Sequence, residues 1–259
     1  TPRPTRPRPP AALWLGIAVV AIITVVAAVA IDFTLIPRIR DVDGWLQILS
    51  GFAQPNWSYF PRVLGPLWET ISTAVVATAI GSVLALVAAM LCSRVTTRNA
   101  VVYRVSKLVL AVVRSLPDVV WALLFVVMIG RGPLAGTFAL IFFSLGIVAK
   151  LTAETVDAVD RGPLEAVDSA GGTGFQRARA AVVPQIVPGY ASYVLYVFEL
   201  NVRASLVLGL VGAGGIGQLI QVQLARYNYE NISLIIIVIF VLVFILDQFS
   251  GWLRKRLTR

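Results

Sequence analysis

Residues 163–176 read PLEAVDSAGGTGFQ and lie inside a polar island, residues 150–185, with a long apolar run on either side. Pro163 suits the first position of a helix, Leu164 to Ala170 supply two turns, and Gly171 with Gly172 supply a left-handed end. Thr173 and Gln176 then form the pattern of a capping box for a second helix, which is expected to finish before Pro184. The island is therefore read as helix, sharp turn, helix. A short exposed helix with its own start and stop signals, anchored at both ends, is suited to filling a partner's groove. An ordinary connecting loop is the plainer alternative.

The apolar runs on either side set the class of the chain. Of 259 residues, 58% are hydrophobic and 14% charged, and the mean hydropathy is +0.84. Such values depart far from soluble globules. Runs long enough for a hydrocarbon layer of about 30 Å, roughly 20 residues each, fall at 11–31, 67–91, 108–129, 134–149, 187–211 and 232–250. The expected fold is an all-α polytopic membrane protein of six transmembrane helices. The fourth run is short and is expected to borrow Lys150 and Leu151, the lysine reaching toward the headgroups. The first run exceeds the usual hydrophobic length of a secretory leader, about 7 to 15 residues, so it is read as a span despite the Arg-rich start.

The organisation that follows is a disordered tail at 1–10, a first span at 11–31, an extracytoplasmic loop at 32–66, a core of five spans at 67–253 with the island at 150–185, and a basic tail at 254–259. The loop at 32–66 carries Pro37, Pro55, Pro61 and the aromatics Trp45, Phe52, Trp57, Tyr59 and Phe60, which suit short helices at the interface. Fifteen of the 22 basic residues fall in the segments that share a side with the termini. Arg38, Arg40, Arg62, Arg131 and Arg226 fall opposite, while Arg114 and Arg203 lie within spans. This asymmetry makes both termini cytoplasmic. It also accounts for most of the +9 net charge and for a pI of 10.3, so no nucleic-acid partner is read into them.

Several chemistries are excluded by what the chain lacks. There is no histidine, which removes the commonest general base and transition-metal ligand. No lysine follows a glycine, so a phosphate-binding loop ending Gly-Lys-Ser/Thr cannot form. The single cysteine, Cys92, allows no internal disulfide and reads as a small buried hydrophobe. Residues 212–217, GAGGIG, formally match a dinucleotide fingerprint, yet apolar spans flank them where a strand and a parallel sheet would be needed. Glycines at that density let a backbone bend or two helices approach closely. Ile216, Leu219, Ile220 and Leu224 make one apolar side of a short helix after them.

Three groups of residues in or beside the spans carry the candidate path. Arg114, Ser115 and Pro117 open the third span, where the proline is expected to kink a helix. Glu199 and Arg203 are four apart on the fifth span and are expected to pair, with Asn201 on another side. Charges in a bilayer normally pair or face water. Arg203, with Arg114, could give a path a positive potential suited to an oxyanion. Gly212, Gly214 and Gly215 complete the set as a gate.

The spacing Glu165-Ala166-Val167, Gly171 and Pro184 resembles the cytoplasmic loop of the membrane subunits of bacterial ABC importers. Residues 114–122, RSLPDVVWA, residues 198–203, FELNVR, and the Gly-rich 212–217 resemble the phosphonate importer permeases in particular. The likeness covers roughly residue 67 to the end, with Ala181 and Val183 standing where the common pattern has Ile and Leu. It implies the type I importer permease fold, with a coupling helix in the island that docks through Glu165, Ala166, Val167, Gly171 and Pro184. It implies a subunit without catalytic, metal or cofactor sites of its own, ATP and Mg being held by two separate ATPase subunits. Further partners implied are a second copy of the chain, an extracytoplasmic solute-binding protein and membrane lipid. The implied setting is the bacterial cytoplasmic membrane, and the implied cargo is phosphonate, phosphate or phosphite. A same-fold permease for another solute such as an amino acid, and a scaffold that transports nothing, are the alternatives.

Overall fold

A computed structural model describes residues 11–33 and 42–257, which are helical with short connections and no strand. The expected tail at 1–10, the loop residues Pro37, Arg38 and Arg40, and the last two residues of the basic tail lie outside the described residues. The chain divides into Thr1–Ser50 and Gly51–Arg259. The first unit holds α1 (Ala11–Ala30), twenty residues that are apolar on all faces. Its hydroxyl at Thr24 is satisfied by the Val20 carbonyl, 2.8 Å away, as a polar group in hydrocarbon requires. Helix α2 (Val42–Ala53) crosses the division.

The second unit continues with a 3₁₀ turn (Trp57–Tyr59), α3 (Phe60–Leu91), α4 (Ala100–Ser115), α5 (Asp118–Ile129), α6 (Pro133–Asp157), α7 (Arg161–Ser169), α8 (Gly174–Arg177), a π turn (Ala178–Val182), α9 (Val183–Leu210), α10 (Gly215–Ala225) and α11 (Tyr229–Leu257). At 1.5 Å per residue, the 25 residues of α6 reach about 38 Å, and α3, α9 and α11 reach further. Among the described residues five helices are long and apolar enough to cross a membrane, six when α4 and α5 count as one bent span.

Small residues set the centre of this unit. Helices α3 and α6 pack through Ala77, Ala85, Ala89, Ala139 and Ala149, all fully buried. A Cβ on Gly81 would stand 2.6 Å from the Ser144 Cβ, so only glycine permits this approach. Asn201 on α9 closes the third side: its Nδ2 donates to Thr78 Oγ1 and Ser144 Oγ, each at 2.7 Å. One amide thus ties three helices together in an apolar setting.

The two ends of the unit are sealed differently. At the end where α9 turns into α10 as a hairpin, Asn56 Nδ2 donates to Asn231 Oδ1, Asn231 Nδ2 to Gln223 Oε1, and Gln223 Nε2 to the Tyr59 hydroxyl. These bonds join the start of α3 to α10 and α11. At the other end, where α7 and α8 form an elbow, the Ser93 hydroxyl donates to Asp157 Oδ1, and Leu164, Val182 and Ile186 pack under Val156.

Four expectations are corrected. The helix of the second span, α3, starts at Phe60 rather than residue 67, because Pro61 is a favourable first-turn residue and the chain carries Pro66 inside the helix. The helix of the fourth span, α6, runs on to Asp157, with Thr152, Ala153 and Val156 buried beyond residue 149. The third span is not a kinked rod: α4 and α5 meet at 87°. Pro117 forbids a helical Leu116, which is extended at φ −90°, ψ 130°. Finally, the second island helix does not stop before Pro184. The chain widens into the π turn, Val183 N–H reaches the Ala178 carbonyl, and Pro184 enters as an early residue of α9. Proline costs little where its N–H would have been unpaired.

Candidate docking elbow and membrane path

The elbow is preset by its own backbone. Asp160 Oδ1 accepts from Gly162 N at 3.1 Å and caps α7, so Pro163 is the third helical residue rather than the first. At the other end Gly171, at φ +73°, sends its N–H to the Asp168 carbonyl, and Gly172 sends its own to the Val167 carbonyl at 2.9 Å. These are the two bonds of a Schellman end. The capping box is present: Thr173 Oγ1 accepts from Gln176 N, and Gln176 Oε1 accepts from Thr173 N at 2.8 Å.

Which elbow side chains face outward follows from the helical period. Leu164 is buried and Val167 packs beside it against Val156, Ala181, Val182 and Ile186. Glu165, Ala166 and Gly171 lie on the exposed side, together with Phe175, 74% exposed. Of the five expected docking residues, then, Val167 turns inward. Pro184 is exposed at the start of α9. Ala181 is buried in the elbow's own core, so its small size bears on internal packing; Val183 is half-buried.

Two residues of the elbow were not singled out from the sequence. Gln185 accepts from Asp160 N at 2.9 Å through Oε1 and donates to the Ala181 carbonyl at 2.7 Å. It stitches the cap of α7 to the root of α9. Asp168 stands 3.7 Å from Arg98 and 3.5 Å from Arg177. The signal for neither is local, since their partners lie up to 70 residues away.

The candidate path residues are held in three separate places. Arg114 lies at the end of α4 with its stem against Gly146, near the midpoint of α6; a Cβ there would meet the Arg114 Cγ at 2.9 Å. Ser115 and Pro117 form the break, and the Ser115 hydroxyl donates to the Val112 carbonyl at 2.8 Å. Glu199 and Arg203 pair as expected, at 2.5 Å. Glu199 is buried and its second oxygen lies 3.5 Å from Arg254, while Arg203 also stands 4.0 Å from Asp247. Two guanidiniums and two carboxylates balance one another between α9 and α11. Arg114 and Arg203 therefore rest on different helices.

The Gly-rich run makes a tight connection. Gly212 and Gly214 have φ of +96° and +84°, and the Gly212 carbonyl accepts from Gly132 N at 3.0 Å. Glu69 Oε1 accepts from Gly215 N at 2.6 Å and Thr70 Oγ1 from Ile216 N at 2.9 Å. A carboxylate from α3 thus satisfies and electrostatically favours the start of α10. Ile216, Leu219 and Ile220 pack toward Val63 and Leu234 as the period requires, whereas Leu224 is exposed.

The model of the binding-protein-dependent transport system inner membrane component family matches residues 77–259. The chain belongs to this family. It is a multi-pass membrane protein with the fold of the importer permeases. Among its relatives, the phosphate-import permease protein PhnE of Mycolicibacterium smegmatis is 42% identical over 189 residues, 73% of this chain and 36% of that protein. The phosphite transport system permease protein PtxC of Stutzerimonas stutzeri is 38% identical over 208 residues, 80% and 76% of the two chains. The chain thus spans about a third of the length of the first relative and three quarters of the second. Among solved structures, an inward-facing MetNI methionine ABC transporter chain superposes with a TM-score of 0.69 at 23% identity, covering 79% of this chain and all of that one. That likeness concerns the fold.

Proposed function

We propose that the chain is the membrane-spanning permease subunit of an ATP-driven importer for a phosphorus oxyanion such as phosphate, phosphite or phosphonate. The observation that carries this reading is the elbow. A helix capped by Asp160 and closed by a Schellman end, followed at once by the capping box of α8 and stitched to α9 by Gln185, presents Glu165, Ala166 and Gly171 on a rigid rim. Such a rim passes movement of a docked partner into α9 with little loss in local bending. The cargo class is supported by the names of the two relatives.

In this reading two copies of the chain enclose the path, two ATPase subunits holding ATP and Mg engage the elbows, and an extracytoplasmic binding protein delivers the anion. Both termini and the elbow face the cytoplasm, in keeping with the distribution of Arg and Lys. ATP closes the motor pair, the elbows move with it, and the spans alternate between outward and inward opening. Arg114, Ser115 and Pro117 at the break, Glu199, Asn201 and Arg203 on α9, and Gly212, Gly214 and Gly215 at the hairpin form the path and its gate. A path of this kind needs little affinity of its own, because tight holding slows release.

The test is reconstitution of the chain in lipid vesicles with its ATPase and binding protein. ATP-dependent accumulation of labelled phosphate or phosphite is expected. A chain that captures no ATPase, or that imports no oxyanion with both partners present, overturns the proposal.

A further inference from the structure

We infer that the cavity between α4 and α6 is a holding site for a small phosphorus oxyanion, with Lys107 and Arg114 as its cations and the Lys150–Glu154 bridge as a displaceable counter-charge. The inference deepens the transport reading and rests on it for the identity of the anion. Lys107, Ala111 and Arg114 recur at helical spacing and share one face of α4; Lys150, Glu154 and Asp157 do the same on α6. Between them lies a cavity of about 440 Å³, within the size range of small-molecule sites. It runs from Asp157 at the elbow end to Arg114 near the middle of α6.

The charges in this cavity are unevenly paired. Lys150 bridges Glu154 at 2.5 Å, and Asp157 is occupied by the Ser93 hydroxyl. Lys107 lies over the Tyr103 ring at 4.7 Å. Among the described residues neither Lys107 nor Arg114 is in an ion pair. Three cations thus face two carboxylates, one of which is already tied to lysine. Lys107 and Arg114 are exposed to this space, and a charge within a membrane-spanning region pairs or faces water. Arginine presents a fork that matches two oxygens of a tetrahedral anion, and an anion between α4 and α6 competes with Glu154 for Lys150. Gly146 gives the Arg114 stem its room.

A thiol placed in the cavity reads the site without transport. In a Cys92→Ser background, Ala111→Cys is labelled in zwitterionic nanodiscs with an anionic or a cationic methanethiosulfonate. Adding Lys107→Gln and Arg114→Gln is expected to slow the anionic reagent roughly tenfold, the low end of electrostatic focusing, and to leave the cationic one no slower. Millimolar inorganic phosphate is expected to protect the thiol, and to lose that effect in the double variant. Arg114→Lys, which keeps the charge, is expected to retain part of it. Equal rates for both reagents, or protection by anionic lipid but not by phosphate, overturns the site. Import at the unaltered rate by the Lys107→Gln, Arg114→Gln variant also overturns it while leaving the transport reading intact. Phosphate protection in a chain that imports nothing sinks the transport reading and keeps the site.

Discussion

The indole Nε1 of Trp121 donates to the carbonyl of Val113 at 3.3 Å, the very carbonyl whose helical partner would have been the missing N–H of Pro117. A bilayer offers no water for such an orphan. The right-angle break is therefore held by a side chain eight residues further on, with the ring stacked on Phe142 at 4.5 Å between centroids.

Trp121→Phe keeps a ring for stacking and removes the donor. Leaving a half-buried acceptor unmatched costs about 1 kcal/mol, the low end of the range for buried groups, so the unfolding midpoint of the purified chain in nanodiscs is expected to fall. An unchanged midpoint would show that the break stands without this bond.

Gly171→Ala places a side chain at φ +73°, a strain of roughly 1 kcal/mol confined to the elbow. In the proposed importer the variant is expected to fold, to capture an ATPase subunit more weakly and to couple hydrolysis to uptake poorly. Gln185→Leu is expected to act similarly, with faster hydrogen exchange at Asp160 and Gly162. Normal coupling in both variants would separate the elbow's rigidity from its use.

Arg203→Ala leaves Glu199 beside Arg254, so assembly is expected to persist while uptake falls. Glu199→Ala removes the buried carboxylate that both Arg203 and Arg254 address. The guanidiniums are partly exposed, so the loss is smaller than for a fully buried pair, yet a larger drop in yield and unfolding midpoint is expected than for Arg203→Ala. The reverse order would contradict the charge balance described for α9 and α11.

Cys92 lies just past the end of α3 and is 1% exposed. Burial pushes its thiol up, outweighing the opposing pull of Lys107. Less thiolate is present than for a free thiol at any given pH up to the shifted value, so N-ethylmaleimide is expected to react slowly at neutral pH and speed up only on unfolding. Rapid labelling of the native chain would place the thiol in the open.

The apolar runs and the elbow's caps were legible because both are written in neighbouring residues: Gly171 and Gly172 close α7, and Thr173 with Gln176 open α8. The break at Leu116 was read as a kink, since the choice between bending and breaking depends on what pairs the freed carbonyls, and Trp121 does so only once α5 has folded back on α6. Pro184 was read as a stop because the widened turn that absorbs it leaves no mark in composition. Glu69 and Gln185 carry no local signal for a different reason: each is one ordinary polar residue whose partner is set by tertiary contact. The Glu199–Arg203 pair was foreseen from spacing, whereas Arg254 and Asp247, on another helix, were not.

The π turn at Ala178–Val182 adds one residue to the circuit between the elbow and α9. The wider i→i+5 turn takes up that residue, so the helix after it keeps the phase at which Asn201 addresses Thr78 and Ser144. A surplus amino acid is thereby absorbed at the junction of rim and rod without turning the buried amide away from its partners.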